Sequence, residues 1–314
     1  MLAVTYPAYG PIERLALGEV GEPTARRQGD VVVAVRRAAL NPKDALFRKG
    51  RFAVLSGRSF PKRCGLDFAG TVVESRSPHF AVGQRVFGAL GEWRYTRGTL
   101  AERVCVRDEE AAPIPDGAGD DAAAAIALVG LTALQALRDI ARVREGSRLW
   151  IHGASGGVGT LAIQLARQMG ARVTTTSSAA NMALCESLGA DETLDYERSP
   201  EATLRGRIDA VFDCYGNLVP RRIAPVFAGR GVYVSTVPSL SRAALDVVTR
   251  VRRVQRRLVV VKPRRADLTQ LAGWLADGTL RAVIDSRFPL ARIHDAFRVL
   301  ESRRARGKIV VEVA

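Results

Sequence analysis

Residues 149–159 read Leu-Trp-Ile-His-Gly-Ala-Ser-Gly-Gly-Val-Gly: an apolar run, a turn of small residues, then the first turn of a helix. Read as G-x-G-x-x-G, Ala154 takes the first glycine's place and Gly156 and Gly159 the other two. Small residues let the backbone turn tightly and let a pyrophosphate approach the free N–H groups and positive end of the following helix. The pattern is weak in isolation. Here residues 148–152 form a strand, 157–169 an apolar-faced helix closed by Gly170, and 172–177 the next strand, which is the context a dinucleotide site requires. The candidate cofactor residues are therefore Gly153, Ala154, Ser155, Gly156, Gly157, Val158 and Gly159.

The alternation continues with a helix over 180–188 closed by Gly189, a strand over 208–213, a helix near 220–227 and a strand over 231–236. Such repetition implies a parallel sheet with helices on both faces. Before it, residues 1–115 carry short valine-rich segments at 31–35, 70–74, 85–87 and 100–106, bounded by Gly, Pro or Asp, and read as a β-rich region. Asp120 and Asp121 open a long apolar helix reaching about residue 141. After the sheet come a strand at 258–261, a helix at 267–276 and a strand–helix–strand tail over 284–313, which breaks the alternation and is expected to return to the β-rich region.

About twenty residues past Gly156 an NAD-preferring site normally carries an acid for the ribose 2′-hydroxyl. Ser177 and Ser178 stand there, with Asn181 and Tyr196 beyond, so a 2′-phosphate meets no like charge and NADPH is favoured over NADH. No Lys or Arg stands beside them; Arg172 and Arg198 are the remote candidates.

The net charge of +15 is almost wholly arginine. Eight basic residues and no acid fall between Arg250 and Arg265, with valines at 247, 248, 251 and 254, and the run reads as the wet face of a helix. It has no aromatic residue on which bases stack, so nucleic-acid binding is disfavoured. Cys64, Cys105, Cys185 and Cys214 lack metal-ribbon spacing and read as free thiols. No run of 18 apolar residues and no leader pattern is seen, so a cytoplasmic protein without a membrane span is expected.

Further segments carry a resemblance. Asn41-Pro42-Lys43-Asp44, Gly65-Leu66-Asp67-Phe68-Ala69-Gly70, Ala81-Val82-Gly83-Gln84-Arg85-Val86, Gly130-Leu131-Thr132-Ala133, Leu188-Gly189-Ala190-Asp191, Asp195-Tyr196 and Gly307-Lys308-Ile309-Val310 occur in this order around the glycine turn. Over nearly its whole length the chain resembles the medium-chain dehydrogenase/reductase superfamily, in its zinc-free quinone oxidoreductase branch of zeta-crystallin and the 2-alkenal and enone reductases. The resemblance implies an α/β fold. A GroES-like β-rich catalytic domain (1–118 and 263–314) would surround a Rossmann doubly wound parallel-sheet domain (119–262), with substrate and nicotinamide meeting between them. It implies that Asn41 and Asp44 border nicotinamide and substrate, Asp44 equally able to cap the helix it opens. Thr132, Cys214, Tyr215, Gly216, Ser235 and Thr236 would border the nicotinamide half, and Lys308 would approach the cofactor or the substrate oxygen.

Zinc-dependent relatives carry Cys at the place of Asn41 and His at the place of Leu66, so no metal is expected. His79, His152 and His294 read as structural. Enoyl-thioester reductases of the superfamily often place a proton-donating tyrosine where this chain has Phe52, which is left as a substrate-pocket residue. The expected activity is zinc-independent, NADPH-dependent hydride transfer to quinones or α,β-unsaturated carbonyls. A zinc-free alcohol or aldehyde dehydrogenase, and a cofactor-binding protein with a regulatory or RNA-binding role, are the alternatives. Homodimers joining sheet edges near residues 258–261 are common among relatives, although the basic run opposes self-association there.

Overall fold

The computed structural model describes residues 1–237 and 254–314. It divides into two compact units, Met1–Leu131 with Lys262–Ala314, and Thr132–Val261. The first division thus falls inside the long helix, thirteen residues beyond the expected position 118, and the second at 261/262 where 262/263 was expected.

The first unit is built on a seven-stranded sheet. Its edge-to-edge order is Ile284–Pro289, Lys308–Glu312, Asp30–Ala39, Asp67–Ser75, Arg85–Ala89 and Ala111–Pro113, with Arg103–Arg107 also pairing to Asp30–Ala39. Asp30–Ala39 serves two cores because its register shifts between Val35 and Arg37. Val31, Val33 and Val35 pack with Phe68, Val86 and Val106, whereas Ala38 and the following Leu40 pack with Ile309, Val311 and Phe297. Ile309 and Val311 come from the tail, which returns to the β-rich region as its broken alternation implies. Helix Ile293–Ser302 buries Ile293, Ala296 and Phe297 in that second core. A smaller sheet orders Ala16–Glu19, Leu2–Tyr6 and Lys62–Arg63.

The second unit holds a parallel six-stranded sheet ordered Glu192–Asp195, Arg172–Ser177, Arg148–His152, Ile208–Asp213, Phe227–Ser235 and Val254–Leu258. In chain order this is 3-2-1-4-5-6, the doubly wound arrangement whose ligand crevice opens at the carboxyl ends of the strands where the order reverses. Glu192–Asp195 was not legible: four residues, two of them acidic, carry no apolar run.

The basic run requires a correction. Arg256 and Arg257 lie in the edge strand Val254–Leu258, not on a helix. An edge strand needs no apolar stripe on both faces, so the sequence period misleads there. Arg250, Arg252 and Arg253, with the valines at 247, 248 and 251, lie outside the described residues.

Helix Asp120–Leu134 continues as a π-helix over Gln135–Ala141. By length and composition Asp120–Ala141 could cross a membrane, but most of its apolar stretch is buried in protein. Its opening acids are tied down, Asp120 by Arg85 (2.5 Å) and Asp121 by Arg37 (2.7 Å) and Arg287 (2.6 Å). The four cysteines are free thiols.

Candidate cofactor site and catalytic cluster

The strand Arg148–His152 delivers the chain to Gly153, whose φ of +74° excludes ordinary side chains. The amides of Gly153 and Ala154 donate to the Thr176 carbonyl, both at 3.2 Å, fixing the turn against the neighbouring strand. Gly156 caps helix Gly157–Gln168 with extended backbone. The first N–H groups of that helix have no intrahelical partner and lie at the positive end of its dipole, which suits a pyrophosphate. At Gly159 a Cβ would lie 2.5 Å from the Ala154 carbonyl oxygen; at Gly156 its nearest neighbour would be the Gly153 oxygen at 3.5 Å. Close packing within the protein therefore accounts for Gly159, whereas the protein leaves the side of Gly156 open.

At the next strand end Asn181 Nδ2 donates to Ser155 Oγ (3.1 Å), linking the turn to the acid-free segment. Asn181 Oδ1 is buried without a hydrogen-bond partner among the described residues. Either orientation of the carboxamide bonds Ser155 and leaves one polar atom for a ligand. Ser177 Oγ donates to the Ser178 carbonyl (3.1 Å). Tyr196 is half exposed, the Arg198 side chain extends into solvent 4.0 Å from Asp195, and Arg172 is exposed.

The loop after Ile208–Asp213 is organised by residues outside the sequence-derived set. Asp213, fully buried, accepts from the amides of Tyr215 (3.2 Å), Gly216 (2.6 Å) and Leu218 (3.1 Å) and from the Tyr233 hydroxyl (2.7 Å). His152 joins the loop from the other side, with Nε2 2.8 Å from Asn217 Oδ1 and Nδ1 2.8 Å from Thr176 Oγ1. Thr176 Oγ1 also accepts from Trp150 Nε1 (3.0 Å). The Thr176 hydroxyl thus lies between the indole and the imidazole and ties both side chains to the strand end, while Asn217 holds the other ring nitrogen. Thr236 Oγ1 donates to the Cys214 carbonyl (3.0 Å), joining the two strand ends where Cys214, Tyr215, Gly216, Ser235 and Thr236 stand. Burial, then the charge of Asp213, pushes the Cys214 thiol up. Thr132 is buried where the second unit begins. An Asp ending a strand two or three residues before a Tyr-Gly turn was the available signal for Asp213.

In the first unit the structure brings Asn41, Asp44, Asp67 and Lys308 into one buried cluster. Lys308 reaches it from the C-terminal strand, and its ammonium donates to Asn41 Oδ1 (2.7 Å), the Leu40 carbonyl (2.8 Å) and Asp67 Oδ2 (2.9 Å). Its three protons are thus committed to protein oxygens. Topology places these acceptors around the ammonium, bringing Lys308 beside Asn41, the residue expected to border the substrate. Asn41 is similarly engaged: Nδ2 donates to Asp67 Oδ2 (2.9 Å) and, more weakly, to the Ala39 carbonyl (3.3 Å). Asp67 Oδ1 accepts the Leu128 amide (2.8 Å).

Asp44 is fully buried at the third position of helix Pro42–Arg48, accepting the Asn41 amide (2.8 Å) and the Tyr95 hydroxyl (3.1 Å). It caps its own helix while remaining inside the cluster. Burial pushes its carboxyl up to about 6 from 3.8, with Asp67 adding to the rise and the Asn41 amide and Lys308 opposing it. The folded protein therefore carries the cost of the buried charge above pH 6, and that cost is relieved as pH falls from 6 towards 3.8. We expect the melting-temperature difference between wild type and Asp44→Asn to move in favour of wild type between pH 7 and pH 5. A difference constant across that range would contradict the placement.

Phe52 packs on Phe47 (ring centres 4.9 Å apart), which stacks on Tyr95 (4.5 Å). Leu66 is wholly buried in the apolar core. His79 lies 4.0 Å from Asp108, and His294 bonds the Leu15 carbonyl (3.1 Å). Among the described residues no three His, Cys, Asp or Glu side chains are grouped to hold a metal. An ammonium bonded to both Asn41 and Asp67 also repels a divalent cation there, so these residues do not fit zinc.

A 3-2-1-4-5-6 parallel sheet with a glycine turn on its first strand is the architecture of a dinucleotide-binding domain, here carried by a chain whose other unit is β-rich. Residues 27–116 match the alcohol dehydrogenase GroES-like domain and residues 188–311 the zinc-binding dehydrogenase family. The chloroplast envelope quinone oxidoreductase homolog of Arabidopsis thaliana is 31% identical, over 99% of this chain and 98% of that protein. The trans-enoyl reductase pgmF of Aspergillus terreus is 34% identical, over 90% of this chain and 86% of that one. The solved quinone oxidoreductase from Coxiella burnetii superposes with a TM-score of 0.91 at 31% identity, covering 100% of this chain and 99% of that one. The chain belongs to the medium-chain dehydrogenase/reductase superfamily, in its quinone oxidoreductase branch. It is an oxidoreductase that uses a nicotinamide cofactor.

Proposed function

We propose that this protein transfers hydride from NADPH to quinones or α,β-unsaturated carbonyls without a catalytic metal. The observation that carries the reading is the Lys308 ammonium bonded to Asn41 and Asp67, with Leu66, next to Asp67 in sequence, sealed in the core. A site so filled offers no Lewis acid to stabilise an alkoxide, which disfavours alcohol oxidation. Addition of hydride to an electron-poor double bond or quinone makes no such demand. Relatives named for quinone and enoyl reduction support this substrate class.

A bound dihydronicotinamide supplies the hydride. The protein's part is to hold the pyrophosphate on the amides after Gly156 and to receive the 2′-phosphate among Ser177, Ser178, Asn181 and Tyr196. The loop ordered by Asp213 and His152 presents Cys214, Tyr215 and Gly216 to the nicotinamide half, together with Thr132, Ser235 and Thr236. Asn41 and Asp44, fixed by Lys308 and Tyr95, border the reacting groups. Proximity of the reacting atoms, about 3–3.5 Å, supplies much of the acceleration. Phe52 has no proton to give, which favours protonation by solvent.

NADPH oxidation followed across quinones, 2-alkenals and cyclic enones, and repeated with NADH, tests the reading. Turnover of at least one class is expected, with kcat/KM for NADPH at least tenfold that for NADH. No turnover of any class would remove the reductase reading, and equal use of NADH would remove the 2′-phosphate assignment.

A further inference from the structure

The developing negative charge on a reduced substrate's oxygen still needs a partner, since Lys308 and Asn41 direct their donors at protein oxygens. Lys43, the second residue of helix Pro42–Arg48, is differently placed. It is half-buried, and its ammonium lies 4.2 Å from the ring centre of Trp93 and 5.4 Å from that of Phe47. Among the described residues it makes one hydrogen bond, a long 3.4 Å contact to the Glu92 carbonyl, and no ion pair. Two of its three N–H groups are thus left over.

The neighbouring carboxylates are engaged elsewhere. Glu92 accepts from the Arg94 amide (2.8 Å) and Arg97 Nε (3.2 Å), and Asp44 from the Asn41 amide and Tyr95. Burial lowers the Lys43 ammonium, while the charges of Asp44 and Glu92 oppose that shift. An ammonium drawn out of water onto aromatic faces without a carboxylate is poised for an anionic or carbonyl oxygen. Phe52 packs on the same Phe47 ring, so the cation stands over an apolar aromatic floor partly open at Trp93.

We propose that Lys43 donates a charge-assisted hydrogen bond to the carbonyl oxygen of the electrophile and holds the oxyanion formed on hydride delivery. The assignment rests on the reductase reading. As hydride bonds the β-carbon of an enone, the C=C pair moves between the α- and carbonyl carbons and the C=O pair becomes a lone pair on oxygen. Lys43 faces that lone pair, and water then protonates the α-carbon of the enolate. A donor aimed at charge that develops in the transition state is worth about 10²–10³ in rate.

The test uses the full-length protein with NADPH and an enone that it reduces. Lys43→Met is expected to lower kcat about 100-fold, leaving NADPH binding within twofold, while Lys43→Arg recovers at least a tenth of wild-type kcat. As a readout independent of turnover, 4-nitrophenolate, an oxyanion probe, should quench Trp93 emission in wild type, with weaker binding in Lys43→Met and loss of the signal in Trp93→Phe. Wild-type kcat in Lys43→Met, or unchanged 4-nitrophenolate affinity, would overturn the proposal while leaving the reductase reading intact. Absence of turnover in the wild type itself would overturn both.

Discussion

Lys308→Met should destabilise the protein by about 3–5 kcal/mol, the range seen when one partner of a buried ion pair is removed. Methionine matches the length of the lysine stem but returns none of its three hydrogen bonds. Asp67, with no exposure, would keep a buried charge supported, among the described residues, by the Leu128 amide and Asn41 Nδ2 alone. Leu40 and Asn41 would each lose a donor in a site closed to water. Urea unfolding of wild type and variant gives the difference directly. Adding Asp67→Asn to Lys308→Met should recover part of the loss, because the uncompensated charge goes with it. A loss below about 1 kcal/mol, the range of exposed pairs, would contradict the cluster.

The second large effect separates two glycines three residues apart. Gly159→Ala places a methyl 2.5 Å from the Ala154 carbonyl oxygen and 2.6 Å from Ala154 Cα, both backbone atoms, so strand or helix must shift. A loss of about 1–3 kcal/mol is expected from such overpacking. Gly156→Ala meets nothing nearer than 3.5 Å, and the φ of −81° is ordinary for alanine. Alanine is a poorer N-cap than glycine, so a loss of no more than about 1 kcal/mol is expected. The new methyl nevertheless occupies the side through which a pyrophosphate approaches, so NADPH affinity should fall at least tenfold. Calorimetric titration with NADPH, paired with thermal unfolding, reads both quantities. Unchanged NADPH affinity in Gly156→Ala would mean that the pyrophosphate does not rest on this turn.

These contrasts also show where the sequence was informative. Strand Ile208–Asp213 and the turn at Gly153 were legible because a buried parallel strand reads as an apolar run and a phosphate turn needs small residues in fixed order. The returning tail was legible because it broke the alternation. The edge strand Val254–Leu258 was hidden by its arginines, and Glu192–Asp195 by its acids, since an edge position does not require apolar side chains on both faces. At the site, the residue types were visible but not their partners. Lys308 lies 267 positions from Asn41 and 241 from Asp67, and only the pairing of Lys308–Glu312 with Asp30–Ala39 brings them together. Asp213 and His152 were missed as loop organisers because their partners are backbone amides and a carboxamide that no local pattern announces.

Isotope transfer with chelator-treated protein tests hydride transfer without a metal most directly. With NADPH deuterated at C4 on the transferred face and a 2-alkenal or cyclic enone, one deuterium is expected at the product β-carbon, with an undiminished rate after chelation. Stoichiometric bound zinc whose removal abolishes turnover, or product without deuterium at that carbon, would contradict it.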